Sequence, residues 1–303
     1  MKDCQVFILL GQSQAVGHGI PMDEQDKIKT PLKNVFGLSR QSNQSFDLKE
    51  LIWEGYTSHQ MNLAEEQDHT YSLANCLATL WQKEIDDGAD LPDLYIIHIA
   101  IGAEGVTDKY FPNGESRKYM WNPSCNKKLI PGKLGTVDIS LYPFTLHILS
   151  LLKDSFRKLG KKYKILNLYW RGGENDIETP VETLKAELKP IYEKILFGCC
   201  EAIGYQVPIT LNRIVSFEAI SKKEQSEEFA KSLTYINTLF DELSRENENI
   251  SIFDSRCAPF YKENESRNGL FVDDMVHYQP QVNWWNAQKI IESAKEKSAR
   301  NRK

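Results

Sequence analysis

The most constraining feature of the chain is an unbroken apolar run, Val6-Phe7-Ile8-Leu9-Leu10, followed at once by Gly11-Gln12-Ser13. A continuous apolar run of strand length is typical of a strand buried on both faces, as in a parallel sheet. In open parallel sheets, ligands bind in the crevice beyond the carboxyl ends of the strands. Because Ser13 follows such an end, we expect its hydroxyl to lie in that crevice.

Four further apolar runs of strand length alternate with segments of helical spacing. The predicted strands cover residues 94–101, 163–170, 207–214 and 250–253. Apolar side chains recur every three or four residues in segments 70–83, 141–159, 181–203 and 221–243, and a last helix begins near Val282. Pro190 predicts a kink in the third of these helices. Strands alternating with helices predict an α/β fold with a mostly parallel five-stranded sheet and right-handed crossovers.

Two long segments, residues 19–67 and 103–140, show little periodicity. Connections of this length inside a compact domain usually serve a function. We therefore interpret both as insertions that form walls of the crevice. No linker or internal repeat divides the chain, which predicts a single domain over residues 1–303.

The composition of the chain argues against several classes of protein. A net charge of −5 argues against a nucleic-acid-binding surface, which usually carries a strong basic excess. No apolar run approaches the roughly 18 residues that span a membrane, and the first residues lack a signal-peptide pattern, although removal of a leader would leave the same sequence. The six cysteines show no metal-ligand spacing. We therefore expect reduced cysteines in a cytoplasmic protein without a metal.

Three predicted strands end in glycine or polar residues at one edge of the sheet: Ser13 after the first, Gly102 after the second and Asn175 after the third. Asp274 and His277 precede the last helix. An aspartate three residues before a histidine can accept its Nδ1 hydrogen while Nε2 faces a nucleophile, which is the requirement of a catalytic triad. The backbone N–H groups of Ser13 and Gly102 and the Asn175 amide would then form the oxyanion hole.

Each of these residues also has a structural interpretation. Serine is common in turns, and Asp-x-x-His is short enough to recur by chance. His98 lies among apolar neighbours in the second strand, which favours a hydrogen-bonded core residue over a ligand. What favours a shared site is the order of the residues, because each falls at a strand end or in the terminal loop.

Four short blocks then suggest a family. The blocks Gly11-Gln12-Ser13, Gly102, Gly173-Glu174-Asn175-Asp176 and Asp274-Met275-Val276-His277 resemble the four blocks of the SGNH (GDSL-like) hydrolases. Residues 7–13, and Tyr169-Trp170 followed by Gly173-Glu174, are most similar to the branch with sialate O-acetylesterases and acetylxylan esterases. The resemblance spans nearly the whole chain. It implies the SGNH-hydrolase fold, a flavodoxin-like three-layer sandwich, with Ser13 as nucleophile and His277 as base.

Two positions depart from that branch. Gln14 stands where the branch usually has asparagine, and Gly172 stands where it has glutamine. Asn175 restores the asparagine of the wider family. We interpret the second departure as the exchange of one oxyanion arrangement for another.

The resemblance implies a serine esterase that removes O-acetyl groups from a carbohydrate through an acetyl-enzyme, without a metal or an organic cofactor. The implied partner is an acetylated carbohydrate. Candidate substrate contacts are Gln12, Gln14, Arg117, Arg171 and Glu174, of which the two arginines suit a sialate carboxylate. Two alternatives stay open: a non-catalytic carbohydrate-binding relative, and a short-chain lipase or thioesterase of the same fold. The sequence specifies neither the sugar, nor the acetylated position, nor the oligomeric state.

Overall fold

The structure, a computed structural model, describes residues 3–19, 21–65, 69–103, 105–107, 109–110, 116–117, 121–125, 140–215, 227–263, 265–274 and 276–300. Its elements in chain order are β1 (Cys4–Gly11), α1 (Ser13–Val16), β2 (Val35–Leu38), α2 (Arg40–Asn43), β3 (Trp53–Gly55), α3 (Leu73–Asp86), β4 (Leu94–Ala100), β5 (Lys109–Tyr110), β6 (Ser116–Arg117), α4 (Leu141–Ser150), α5 (Leu152–Lys158), β7 (Tyr163–Arg171), α6 (Val181–Ile203), β8 (Ile209–Asn212), α7 (Glu227–Glu246), β9 (Ile250–Phe253) and α8 (Pro280–Arg300). Helices flank a mostly parallel sheet, which confirms the predicted α/β three-layer class.

Within the described ranges, the main sheet has seven strands in the order β3-β2-β4-β1-β7-β8-β9, and only β3 runs antiparallel to its neighbour. The sheet is thus two strands wider than predicted, and both additional strands belong to the segment 19–67. Strand β2 has four residues and too little periodicity to be recognised. It forms because Val35 and Gly37 pair with Leu94 and Ile96 of β4, a contact made far along the chain.

Strand β1 separates two apolar cores. Val6, Ile8 and Leu10 pack into the core that includes residues of α4, α6 and α7. Phe7 and Leu9 pack into the core that includes residues of α3 and α8. All five side chains are fully buried. The unbroken apolar run therefore reflects a strand covered on both faces, as predicted.

One predicted helix is divided into two in the structure, and another contains the proline at which a kink was predicted. The segment 141–159 forms α4 and α5, which are separated at Leu151, whose N–H donates to Ile148 O in a tighter 3₁₀-type bond. Helix α6 runs across Pro190 as a single element, and the kink at this residue stays a prediction. The predicted start of the helix at 221–226 lies outside the described residues.

The six cysteines are unpaired, and all except Cys257 are buried. Burial raises the pKa of the neighbouring thiols Cys199 and Cys200 above its usual range, which suits residues that only pack. Across the described ranges, no helix is both long and apolar enough to cross a membrane.

Candidate active site

The serine turn, residues 11–14, places Ser13 at the start of α1. Gly11 has a φ of +146°, and a Cβ there would lie 1.8 Å from Arg171 O, so the turn requires glycine. Gln12 N–H donates to the same carbonyl at 2.9 Å, which ties the turn to β7. Ser13 is half-buried. As the first helical residue, it has a backbone N–H with no acceptor within the helix.

His98 supports this turn from inside the fold. It is fully buried on β4, and its Nε2–H donates to Ala15 O at 2.9 Å. Burial lowers the pKa of His98 to about 3, against the opposing effect of this hydrogen bond. The imidazole is therefore neutral at physiological pH. Its interpretation as a hydrogen-bonded core residue is confirmed.

Asp274 and His277 form a pair. His277 Nδ1 lies 2.6 Å from Asp274 Oδ2, while Asp274 Oδ1 accepts from the backbone N–H groups of Val276 at 2.8 Å and His277 at 2.9 Å. Burial works to raise the pKa of Asp274, but the hydrogen bonds from His277 and Val276 outweigh it, so that pKa lies below its ordinary value. A charged carboxylate at Nδ1 leaves Nε2 as the basic nitrogen of the neutral imidazole.

Gln14 joins the serine turn to the histidine loop, the segment between Phe271 and Tyr278. Gln14 Nε2 donates to Val276 O, and Gln14 Oε1 accepts from Tyr278 N–H at 3.2 Å. Both chain neighbours of His277 are thus bonded to the residue that follows Ser13. The Gln14 side chain is buried in this contact.

Gly102, just beyond β4, lies beside the serine turn. Ile101 N–H donates to Gly11 O at 3.3 Å, which brings the two segments together. Gly102 N–H donates to Glu65 Oε2 at 2.6 Å, and Glu65 Oε1 lies 2.8 Å from His18 Nε2. A Cβ on Gly102 would lie 2.4 Å from His18 Cε1, so a side chain here would displace the histidine.

His18 and Glu65 were not predicted as site residues. His18 packs edge-on against His277, with ring centroids 5.5 Å apart. The sequence could have indicated His18, because it follows Ser13 by only five residues. Helix α1 between them is a single turn, so His18 stays close to the serine. Glu65 had no local signal, since it lies in the aperiodic segment 19–67 and reaches Gly102 only through the fold.

Gln12 connects the first block to the third. Its Oε1 accepts from the N–H groups of Gly173 at 3.2 Å and Asn175 at 3.4 Å. A Cβ on Gly172 would lie 3.2 Å from Gln12 Cγ, so the small residue leaves room for the buried glutamine. Asn175 itself is half-buried. The contact of Asn175 with Gln12 is made through its backbone N–H.

Asp176 anchors the residues that follow Gly102. Its fully buried carboxylate accepts from Val106 N–H at 3.0 Å, Thr107 N–H at 2.9 Å and Thr107 Oγ1 at 2.6 Å. Nearby, Trp121 Nε1–H donates to Gly11 O at 3.0 Å. Asp176 was placed in the third block without a role, and Trp121 was counted only among the aromatic residues of the segment 103–140, whereas the structure buries it fully.

The candidate substrate contacts divide into three groups. Gln12, Gln14 and Arg171 are buried, and Arg171 lies 4.6 Å from the centre of the Tyr278 ring. Their bonds within the protein make these side chains part of the framework of the site. Glu174 is half-buried, and burial raises the pKa of its carboxyl group. The Arg117 side chain lies outside the described part of the chain. Contact of all five with substrate stays a prediction.

The structure thus brings Ser13, Gly102, Asn175 and the Asp274–His277 pair to one edge of the sheet, linked by Gln12 and Gln14. A hydroxyl, an oriented imidazole and backbone N–H donors are the groups that acyl transfer requires. Among the described residues, no group of three or more histidine, cysteine, aspartate or glutamate side chains is placed to hold a metal ion.

No family model and no curated protein matches the sequence. Among solved structures, NanS is similar with a TM-score of 0.59 and 15% identity, over 97% of this chain and 98% of that one. A protein from Arabidopsis thaliana is similar with a TM-score of 0.56 and 12% identity, over 97% and 98% of the two chains. A carbohydrate acetylesterase from Xanthomonas citri reaches a TM-score of only 0.42, at 12% identity, over 83% of this chain and 49% of its own. At these identities, the first two show that this chain shares their fold over nearly its whole length.

Proposed function

We propose that this chain is a serine esterase that removes O-acetyl groups from a carbohydrate through an acetyl-enzyme. The observation that carries the proposal is the bonding of both neighbours of His277, itself paired with Asp274, to Gln14 beside Ser13. The resemblance of residues 7–13, and of Tyr169-Trp170 followed by Gly173-Glu174, to the carbohydrate-esterase branch supports the substrate class. The fold shared with NanS is consistent with it.

Acylation uses the groups at this edge of the sheet. Ser13 Oγ attacks the ester carbonyl carbon while His277 Nε2 takes its proton, and Asp274 stabilises the resulting imidazolium. The carbonyl electron pair moves to oxygen, which accepts hydrogen bonds from the N–H groups of Ser13 and Gly102 and from the Asn175 amide. The tetrahedral intermediate then breaks its bond to the sugar oxygen, which takes the proton from Nε2.

Deacylation repeats these steps with water as the nucleophile. Water attacks the acetyl carbon while His277 takes its proton, and His277 then gives that proton to Ser13 Oγ as the ester bond breaks and acetate is released. One donor needs a rearrangement in both steps. Gly102 N–H donates to Glu65 Oε2 in this structure, so Glu65 must move before Gly102 can bind a substrate oxygen.

The Glu65 contact also favours a second candidate, a carbohydrate-binding protein without turnover. A carboxylate on a required donor would impede an oxyanion at that position, because the two negative groups repel each other. The two candidates differ in product. Binding of an acetylated sugar without acetate release, measured by calorimetry and proton NMR, would favour the second.

The test of the esterase is hydrolysis of p-nitrophenyl acetate, 9-O-acetyl sialic acid, acetylated xylan and peracetylated glucose by wild type and Ser13→Ala. We expect Ser13→Ala to lower kcat at least about 10³-fold, because the nucleophile is lost. Ser155→Ala is the matched control, since Ser155 is buried and its hydroxyl accepts from Trp53 Nε1 instead. Equal rates for wild type and Ser13→Ala contradict the assignment. A preference for butyryl over acetyl esters favours a lipase or thioesterase.

A further inference from the structure

We infer that Gln14 is a positioning residue that sets the orientation of His277 relative to Ser13. The inference rests on the proposed function and concerns the same site. The residue before His277 and the residue after it are both bonded to one carboxamide, through Val276 O and Tyr278 N–H. Because the peptide groups on both sides of His277 are held, the amide fixes the His277 backbone and the direction of its Cα–Cβ bond. The contact of Nδ1 with Asp274 then orients the imidazole ring.

The partners of Gln14 dictate its chemistry. Val276 O can only accept a hydrogen bond, and Tyr278 N–H can only donate one, so the side chain must both donate and accept. Among straight-chain residues of this length, only glutamine does both at neutral pH. Asparagine has the same amide but is shorter by one methylene. The departure of this chain from the Gly-Gln-Ser-Asn pattern therefore extends the amide toward the histidine loop.

The serine end of this link is rigid. Gln14 is 3% exposed, and its neighbour Ala15 donates to Gln12 O at 2.8 Å. Ala15 O in turn accepts from His98, which is fixed in β4. Because Gln14 is fixed in a buried turn, its amide holds the histidine loop in a set position relative to Ser13. A displacement of the reacting groups by about 1 Å can lower the rate about 10²-fold.

The histidine loop has other anchors, most of them within the loop itself. Tyr278 stacks on Phe271, with ring centroids 5.2 Å apart, and lies against the Arg171 guanidinium. Val272 N–H donates to His277 O at 2.9 Å. These contacts keep the loop folded without Gln14. His18 also touches His277, but through an edge-on ring contact that fixes direction less than a pair of hydrogen bonds.

Two substitutions of Gln14 separate the effect of its hydrogen bonds from the effect of its length. Gln14→Met keeps the length and removes both hydrogen bonds, whereas Gln14→Asn keeps the amide and removes the reach. The matched control is Gln82→Met, because Gln82 is also buried and its Oε1 accepts from Lys33 N–H at 3.1 Å and Asn34 N–H at 2.9 Å. Gln82 lies at the end of α3 that precedes β4, and so at the opposite edge of the sheet.

The principal readout is the rate at which a fluorophosphonate labels Ser13, since this rate depends on the serine and its base but not on the sugar. The second is kcat and KM for p-nitrophenyl acetate. We expect both Gln14 variants to lose about 10- to 100-fold in labelling rate and kcat, with KM changed less than about threefold. The downfield NMR signal of His277 Nδ1–H should persist, because Asp274 still accepts it. Gln82→Met should label at the wild-type rate with a similar fall in melting temperature.

The outcomes separate the inference from the function on which it rests. If wild type labels at Ser13 and both Gln14 variants label within twofold of it, the inference is overturned and the esterase is kept. If wild type does not label, the esterase is overturned and the inference fails with it. If Gln14→Met does not fold, Gln14→Asn decides. Loss of labelling in Gln82→Met as well would assign the effect to general destabilisation and overturn the positioning role.

Discussion

Two regions of the protein lie on either side of Ser13, and different kinds of side chain hold each of them in place. On the histidine side, defined by Gln14 and the histidine loop, the link is an uncharged amide buried between two backbone groups. On the glycine side, defined by residues 98–107 with Glu65, His18 and Asp176, the links are mostly titratable groups. The link made by Gln14 therefore contains no group that gains or loses a proton, although the Asp274–His277 pair lies in the loop that it holds. The glycine side is held through His98 and two carboxylates.

Both sides of Ser13 have an amide side chain that bonds to the backbone. They differ because the glycine side is also held by titratable side chains. The glycine side has its own amide, because Asn62 Nδ2 donates to Ala100 O at 2.9 Å and Asn62 Oδ1 accepts from Ala100 N–H at 3.0 Å. That contact resembles the link of Gln14 to the histidine loop. Carboxylates and a histidine are added beyond it, where the chain leaves the sheet. Acid should therefore loosen the glycine side before it affects the link made by Gln14.

The largest effect that we predict concerns Asp176. Asp176→Ala removes a fully buried carboxylate and leaves the N–H groups of Val106 and Thr107 without their acceptor. Because hydrogen bonds to a charged group contribute about 1.5–3 kcal/mol each, the free energy of unfolding should fall by about 3 kcal/mol or more, measured by urea titration. The control Asp154→Ala removes an exposed ion pair with Arg157 and should cost less than about 0.5 kcal/mol. Equal costs would refute the anchoring role of Asp176.

The second prediction concerns His98 and pH. Burial lowers the pKa of His98 in the folded state to about 3, whereas the unfolded chain binds a proton below about 6.5. The unfolded state therefore binds more protons between these values, and stability falls as pH decreases through this window. The contribution should approach about 1.4 kcal/mol per pH unit. In urea titrations at pH 7.0 and 5.5, His98→Gln should show a shallower loss than wild type.

A matched substitution tests this assignment. His59→Gln is the control, because it removes a histidine at an exposed position instead of a buried one. If His98→Gln and wild type lose the same stability between the two pH values, acid sensitivity does not arise from His98. The contrast between the two sides would then rest on the carboxylates alone.

The smallest effect concerns Glu65. Glu65→Gln removes the charge that holds Gly102 N–H, so this donor becomes more accessible to a substrate oxygen. We expect kcat/KM for p-nitrophenyl acetate to rise about threefold, or roughly 0.7 kcal/mol. Lys158 pairs with Glu50 far from this site, so Glu50→Gln serves as the control and should change nothing. A fall in kcat/KM for Glu65→Gln would show that the carboxylate supports the site instead of obstructing it.

Local patterns predicted much of this structure. The apolar run of β1 predicted burial on both faces, and the alternation of strands with helices predicted the α/β class. The three-residue spacing of Asp274 and His277 predicted their contact, because the loop between them is too short to separate the side chains. Strands β2 and β3 were missed, since each is four residues or fewer and gains its partners from the sheet.

The sequence by itself determined what depends on neighbouring residues: the buried strand, the glycine turn before Ser13 and the aspartate–histidine pair. Only the tertiary structure decided which residues from distant parts of the chain contact them. Gln14 meets a carbonyl 262 residues away, and Glu65 reaches Gly102 from an aperiodic segment. The physical reason is that periodicity and short spacing follow from the geometry of consecutive residues. Contacts between distant segments depend on how the sheet and its insertions pack.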